Sequence, residues 1–170
     1  MCYYTLCNNA NGGKTLMAEK KTVFLTGASG HMGWAGFKEL YKKKNELNIV
    51  LLLRDSEKNR KKFANYLNDP SVKIVWGDLK KYDDVLKCVE GSDYILHVGG
   101  MVSPSADYYP TRTIQTNTGA ARNIVDAVKA QPNKDDIKVV YIGTVAQTGD
   151  RNSPIHWART GDPIKISIYD

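Results

Sequence analysis

The chain has 170 residues, 42% of them hydrophobic, 25% charged and 9% aromatic, and 24 Lys and Arg against 18 Asp and Glu give a formal charge of +6. That composition lies away from the disordered and low-complexity classes, and the length suits one core rather than two full domains. The longest uninterrupted apolar run, Ile49 to Leu53, is too short to cross a bilayer, so no membrane partner is expected.

Residues 1–20 contain Asn8, Asn9, Asn11, Gly12 and Gly13 and read as a flexible polar N-terminal extension. They lack the apolar stretch and small-residue cleavage site of a signal peptide. Gly13-Lys14-Thr15 has neither the earlier glycine nor the preceding strand of a phosphate loop, and that motif is rejected. Cys2, Cys7 and Cys88 are an odd set without paired spacing. They make no zinc motif and no disulfide framework, which fits a reducing cytoplasm.

From residue 21 onward, apolar strands alternate with amphipathic stretches. Thr22 to Thr26 is a strand ending in a glycine-rich turn, and Gly33 to Lys44 is a helix with Phe37, Leu40 and Tyr41 at helical spacing. Asn48 to Arg54 (NIVLLLR) is the continuous apolar strand of a parallel sheet covered on both faces. Ser56 is the N-cap of a basic helix reaching about Asn68, where Asp69-Pro70 stops it. Val72 to Trp76 is the third strand, Asp83 to Glu90 a short helix closed by Gly91, and Tyr94 to Val98 the fourth strand. A longer helix spans roughly Thr111 to Ala130, with Ile114, Ala121, Ile124, Val125 and Val128 as its expected inner stripe. Lys138 to Ile142 is the fifth strand. Beyond Gly149 turn residues dominate, and Ile164 to Ile168 reads as an edge strand or an extended loop.

Strand–helix repeats of this length imply right-handed parallel crossovers, hence an α/β doubly wound parallel sheet. Counting from Thr22, the expected strand order is 3-2-1-4-5, with a ligand crevice between strands 1 and 4. The basic residues cluster at Lys42 to Lys44, at Lys58 and Arg60 to Lys62, and at Lys80-Lys81. No recognition-helix, zinc or RNA-module signature accompanies them. They read as solvated helix ends, and nucleic acid is not the expected partner.

The chemical signal is Thr26-Gly27-Ala28-Ser29-Gly30-His31-Met32-Gly33, between the first strand and its helix. Glycines there permit a tight turn, close backbone approach to a diphosphate and close helix–strand packing, while the helix N-terminus offers amides to the anion. With it go Gly77-Asp78-Leu79 after the third strand and Tyr94-Ile-Leu-His97-Val98-Gly99-Gly100 at the fourth. Asn117 in Gln-Thr-Asn-Thr-Gly119 and the segment Tyr141-Ile-Gly-Thr144-Val-Ala-Gln-Thr-Gly149-Asp150 complete the set. Together, over Lys21 to at least Asp150, they resemble the extended short-chain dehydrogenase/reductases, the NAD(P)-dependent epimerase/dehydratase group.

The resemblance implies a Rossmann-like cofactor-binding domain over residues 21–150, followed by a loop or extended segment at 151–170. Gly27, Ser29, Gly30, His31, Met32 and Gly33 would cradle the diphosphate. Asp78 and Leu79 would border the adenine, although Asp78 also reads as a turn acid. Val98, Gly99 and Gly100 would form the opposite wall, where the family's usual alanine is replaced by two glycines, a departure expected to loosen it. Asn117 reads either as a polar group near the cofactor or as a satisfied core amide. His97 reads as a packed strand residue rather than a catalyst. Thr144 stands at the family's catalytic Ser/Thr, or else is a small residue ending a buried strand.

Cofactor choice turns on Leu53-Arg54-Asp55-Ser56. Arg54 suits the 2′-phosphate of NADP, which is the expected cofactor, while Asp55 keeps NAD open. The family's general acid/base is a Tyr-x-x-x-Lys pair, in which the lysine makes the phenolate usable near neutral pH. No such pair follows Thr144; Tyr169 lies at about the right distance but has no lysine four residues on. The chain is therefore expected to be an N-terminal portion of an oxidoreductase acting by hydride transfer at a secondary alcohol or carbonyl, inactive by itself. A non-catalytic NADP-sensing or protein-interaction module is the other reading. The small-molecule substrate cannot be read from these residues, and association into an oligomer stays open.

Overall fold

The computed structural model describes residues 4–8 and 14–143. Strands β1 (Tyr4–Asn8) and β2 (Lys14–Ala18) pair antiparallel, Tyr4 opposite Ala18. A hairpin thus occupies the segment expected to be a flexible extension. Tyr4 and Leu6 alternate with Thr5 and Cys7, and an Asn/Gly-rich sequence separates the two strands. That local pattern favours a hairpin despite the polar composition.

The remaining strands are β3 (Lys21–Thr26), β4 (Leu47–Leu53), β5 (Val72–Trp76), β6 (Tyr94–His97) and β7 (Lys138–Tyr141). They form one parallel sheet in the order β5-β4-β3-β6-β7, which is the doubly wound arrangement, with its reversal between β3 and β6. The crossovers carry α1 (His31–Lys42), α2 (Glu57–Phe63) with a 3₁₀ turn at Ala64–Tyr66, α3 (Tyr82–Val89), α4 (Ser105–Tyr108) and α5 (Pro110–Lys129). Among the described residues, no helix is long and apolar enough to cross a membrane.

Strand β4 explains why its sequence is apolar throughout. Ile49, Leu51 and Leu53 point to one face, where Phe37 and Phe63 cover them. Val50 and Leu52 point to the other, against Val85, Val89 and Ile124. Successive side chains alternate between faces, so a strand covered on both sides needs an unbroken apolar run. On the first face Trp34, Phe37, Tyr41, Phe63 and Tyr66 interlock, with Phe37 and Tyr66 edge to face at 4.8 Å. Ser56 caps α2 as expected, accepting from the Asn59 amide at 3.3 Å, and Gly91 takes φ +74° after α3.

Helix α5 keeps part of the expected stripe, with Ile124 buried and Val128 packed on the core, and departs from it elsewhere. It buries Thr113, Ala120, Ile124 and Ala127, whereas Ile114 and Val125 from the expected stripe are 50% and 47% exposed. Small residues let the helix pack closely beside α3, and two asparagines fix its rotation. Asn117 bonds both backbone groups of Met101, and Asn123 donates to the Leu79 carbonyl at 2.8 Å. Close fit and polar satisfaction outweigh a count of apolar positions. Lysines of two basic clusters pair locally, Lys42 with Glu39 and Lys61 with Glu57, on exposed helix faces.

Candidate functional site

The carboxyl ends of β3, β4, β5 and β6 open into a crevice of about 470 Å³, within the usual range of ligand pockets. Its floor is the turn after β3. Gly27 adopts φ +71°, and its carbonyl accepts from the Gly30 amide at 2.9 Å. A Cβ on Gly27 would sit 2.7 Å from the Gly99 backbone, and one on Gly33 would lie 2.0 Å from the Gly27 carbonyl oxygen. These two glycines are therefore demanded by packing. Gly30 is freer, its nearest contact being 3.3 Å away.

Gly30 caps α1 without a side-chain hydrogen bond, and the first turn of α1 holds no acid. The amides of His31, Met32 and Gly33 therefore lack intrahelical acceptors at the positive end of the helix dipole, beside the crevice. Ser29, Gly30, His31, Met32 and Gly33 all line it. Lys62 of α2 braces this turn from behind, donating to the Ser29 carbonyl at 3.0 Å with its ammonium 4.3 Å from the Trp34 ring centre. Burial, together with the charges of Lys58 and Lys38, lowers the Lys62 pKa.

The opposite wall is Val98, Gly99 and Gly100. Two glycines do not make it loose. A Cβ on Gly99 would be 3.0 Å from Leu79 and 3.1 Å from both the Thr26 hydroxyl and the Gly27 amide nitrogen. Thr26 Oγ1 accepts from Val98 N at 3.1 Å and Gly99 N at 2.9 Å, which ties this wall to the floor. Asn117 stands behind it rather than in the lining. Its Oδ1 accepts from Met101 N at 2.8 Å and its Nδ2 donates to Met101 O at 3.0 Å. His97 is 4% exposed and packed within the sheet.

Arg54 lines the end of the crevice beyond β4, where its carbonyl accepts from the buried Asn59 side chain at 2.7 Å. Neighbouring Asp55 is engaged elsewhere. Arg60 binds both its oxygens, at 2.6 and 2.8 Å, and holds its carboxyl below the usual range. Asp78 and Leu79 line the third side. Asp78 is also a turn acid, its Oδ1 accepting from the Lys80 amide at 2.9 Å. The turn-acid reading of Asp78 is thus observed, in a residue that also lines the crevice.

Sequence reasoning missed Met101, Val102, Arg112 and Thr116, which close the crevice on the α5 side. Arg112 and Thr116 are four apart on α5 and so share a face, but only the tertiary fold says which face meets the crevice. The lining carries Arg54, Lys80 and Arg112 against Asp78 alone, so it is net positive. A glycine floor, orphaned helix amides and excess positive charge fit a bound dinucleotide diphosphate. Thr144 and Tyr169 lie outside the described residues.

Similar proteins agree with this geometry. UDP-glucose 4-epimerases of Rickettsia felis and Rickettsia bellii are 28% identical over 127 residues and 31% identical over 128 residues. Each match covers 73% of this chain and 36% of the relative, so the chain spans about a third of the length of these curated relatives. The UDP-Glc/GlcNAc 4-epimerase of Campylobacter jejuni superposes with a TM-score of 0.70 at 18% identity, over 88% of this chain and 44% of that one. The Bordetella bronchiseptica enzyme WbmH, solved with NAD+, gives 0.67 at 21% identity, over 89% of this chain and 48% of that one. At these identities the structural likeness is one of fold. The family model for NAD dependent epimerases and dehydratases matches residues 23–169, taking in every glycine of the crevice, and the chain belongs to that family.

Proposed function

We propose that the crevice binds a nicotinamide dinucleotide, NADP in preference to NAD. In this reading the chain supplies the cofactor-binding part of an oxidoreductase or epimerase working by hydride transfer at a secondary alcohol or carbonyl. The observation that carries it is the row of uncapped amides at His31, Met32 and Gly33 above a glycine floor. When bound, the nicotinamide supplies or accepts the hydride. The chain's own residues bind and orient: the α1 amides take the diphosphate, the cofactor backbone lies across Val98, Gly99 and Gly100, and Asp78 and Leu79 border the adenine. Arg54 takes the 2′-phosphate, a role supported by the pairing of Asp55 with Arg60.

Thr144 and Tyr169 are proposed for the reacting end, the hydroxyl holding the substrate oxygen and the phenol moving its proton. No Tyr-x-x-x-Lys follows Thr144 in these 170 residues, so they are proposed to bind cofactor without turning over substrate. That same feature supports the second reading, a dinucleotide-sensing module without catalysis. The names of the Rickettsia relatives put a nucleotide sugar first among substrates to test.

Calorimetry with NADPH and NADH, joined to a hydride-transfer assay, tests the whole. NADPH should bind more tightly than NADH, and the assay should read zero for this chain. Equal or tighter NADH binding overturns the cofactor preference, and turnover by the chain alone overturns the claim of incompleteness.

A further inference from the structure

The floor of the crevice hides a polar pair that the cofactor reading does not use. Thr26 and His97 are Cα partners at the carboxyl ends of β3 and β6, the strands flanking the reversal of strand order. Below them the same face of the sheet is apolar, with Phe24 and Ile95 in the core. Thr26 is fully buried and His97 nearly so, and Thr26 Oγ1 lies 2.8 Å from His97 Nδ1.

A hydroxyl has two lone pairs and one proton. Both lone pairs of Thr26 are taken, by the Val98 amide at 3.1 Å and the Gly99 amide at 2.9 Å. Its proton is then the one left for His97, so Nδ1 accepts and the imidazole is neutral with its hydrogen on Nε2. An imidazolium would present a second donor to an oxygen with no lone pair to spare. Thr26 would have to release Val98 or Gly99, the two residues that form the wall facing Gly27.

We propose that His97 is a positioning residue for the dinucleotide crevice: accepting at Nδ1, it keeps the Thr26 hydroxyl a double acceptor and so holds the Val98–Gly100 wall against the glycine floor. The inference rests on the cofactor reading above. The surroundings favour the neutral ring. From β7, Tyr141 packs its ring 5.5 Å away. The buried positions of α5 are Thr113, Ala120, Ile124 and Ala127, none of them titratable, and β3 offers only Thr26. Burial alone lowers the His97 pKa.

The test uses the full chain, labelled with ¹⁵N at histidine, and NADPH as the probe. Imidazole nitrogen shifts should give His97 as the neutral Nε2–H tautomer at pH 7. An Nδ1–H tautomer or a charged ring at that pH overturns the proposal. His97→Asn places an oxygen near the position of Nδ1 and should keep NADPH affinity within about threefold, whereas His97→Leu should weaken it about tenfold, the scale of one hydrogen bond. Circular dichroism reports whether each variant is folded. If His97→Leu fails to fold, wild type and His97→Asn still decide. Wild-type affinity should fall with pH at the same midpoint as the His97 nitrogen shifts, and the Asn variant should lack that fall. Failure of wild type to bind either NADPH or NADH overturns the cofactor reading and this role together. Normal wild-type binding with an unaffected, folded His97→Leu overturns the role of His97 alone.

Discussion

Arg60 closes on Asp55 with both of its hydrogen-bonding nitrogens, at 2.6 and 2.8 Å, while its guanidinium lies 4.8 Å from the Trp76 ring centre. The two residues sit five apart across the start of α2, so the pairing is local and does not depend on a ligand. It occupies the only carboxylate in the turn after β4 and leaves Arg54 as that turn's crevice-lining residue. The proposed preference for NADP rests on this pairing.

Two substitutions should move that preference in separable ways. Arg54→Ala removes the proposed 2′-phosphate ligand and should weaken NADPH about 10- to 100-fold, the scale of a charge-assisted pair, with little change for NADH. Arg60→Ala frees Asp55 to reach ribose hydroxyls and should narrow the NADPH-to-NADH ratio chiefly by improving NADH. Titration calorimetry of both variants with both cofactors checks this. A ratio unmoved by Arg54→Ala would assign the phosphate to another cation.

The glycines of α1 give a paired test of packing. Gly33→Ala drives a methyl to 2.0 Å from the Gly27 carbonyl and should cost about 2–4 kcal/mol, as well as cofactor binding. Gly36, three residues on, has nothing within 4 Å of its missing Cβ. Gly36→Ala should instead stabilise by about 0.5–1 kcal/mol through helix propensity, with binding unchanged. Urea denaturation of the two variants reads both signs. A destabilised Gly36→Ala would contradict the open space beside it.

Much of this was legible in the residues because it is local. The run NIVLLLR states its own burial, Ser56 its cap, and the glycine turn its place between strand and helix. The phase of α5 was legible only in part: Ile124 and Val128 lie on the core as their apolarity marks them, but Ile114 and Val125 are exposed while Thr113, Ala120 and Ala127 are buried. What selects that face is the fit of small side chains and the bond from Asn117 to Met101, both tertiary. Arg112 in the crevice and Lys62 beneath Ser29 were invisible for the same reason: each is a surface cation until the chain folds.

Asn117 makes a further prediction about the wall it supports. Its amide uses a donor and an acceptor on one residue, Met101, so Asn117→Asp keeps the acceptor and loses the donor, while Asn117→Leu loses both. The Leu variant leaves the Met101 backbone groups without their side-chain partner and should be less stable by about 1–3 kcal/mol. NADPH affinity should fall with it, and Asp should lie between Leu and the parent. Thermal melts and calorimetry on the three proteins order them. An Asn117→Leu protein as tight as the parent would mean that Met101 does not shape the crevice.

Acid should undo the fold in two windows. The buried His97 has a lowered pKa, so the unfolded chain takes up its proton first as pH falls; its contribution is present above the ordinary imidazole value, about 6.5, and is lost progressively below it. Asp69 accepts from Lys44 Nζ at 2.8 Å, Tyr41 Oη at 2.7 Å and the Ser71 amide at 2.9 Å. The Lys44 hydrogen bond leads these in holding its carboxyl far below the usual range. Its contribution is therefore present above the ordinary carboxylate value, about 4, and is lost as pH falls further. Urea midpoints measured from pH 8 to 3 should decline in both regions. His97→Asn should flatten the first decline and Asp69→Asn the second. A wild-type midpoint constant between pH 7 and 5 would show that His97 takes up its proton as easily folded as unfolded, and would remove the neutral ring from the floor of the crevice.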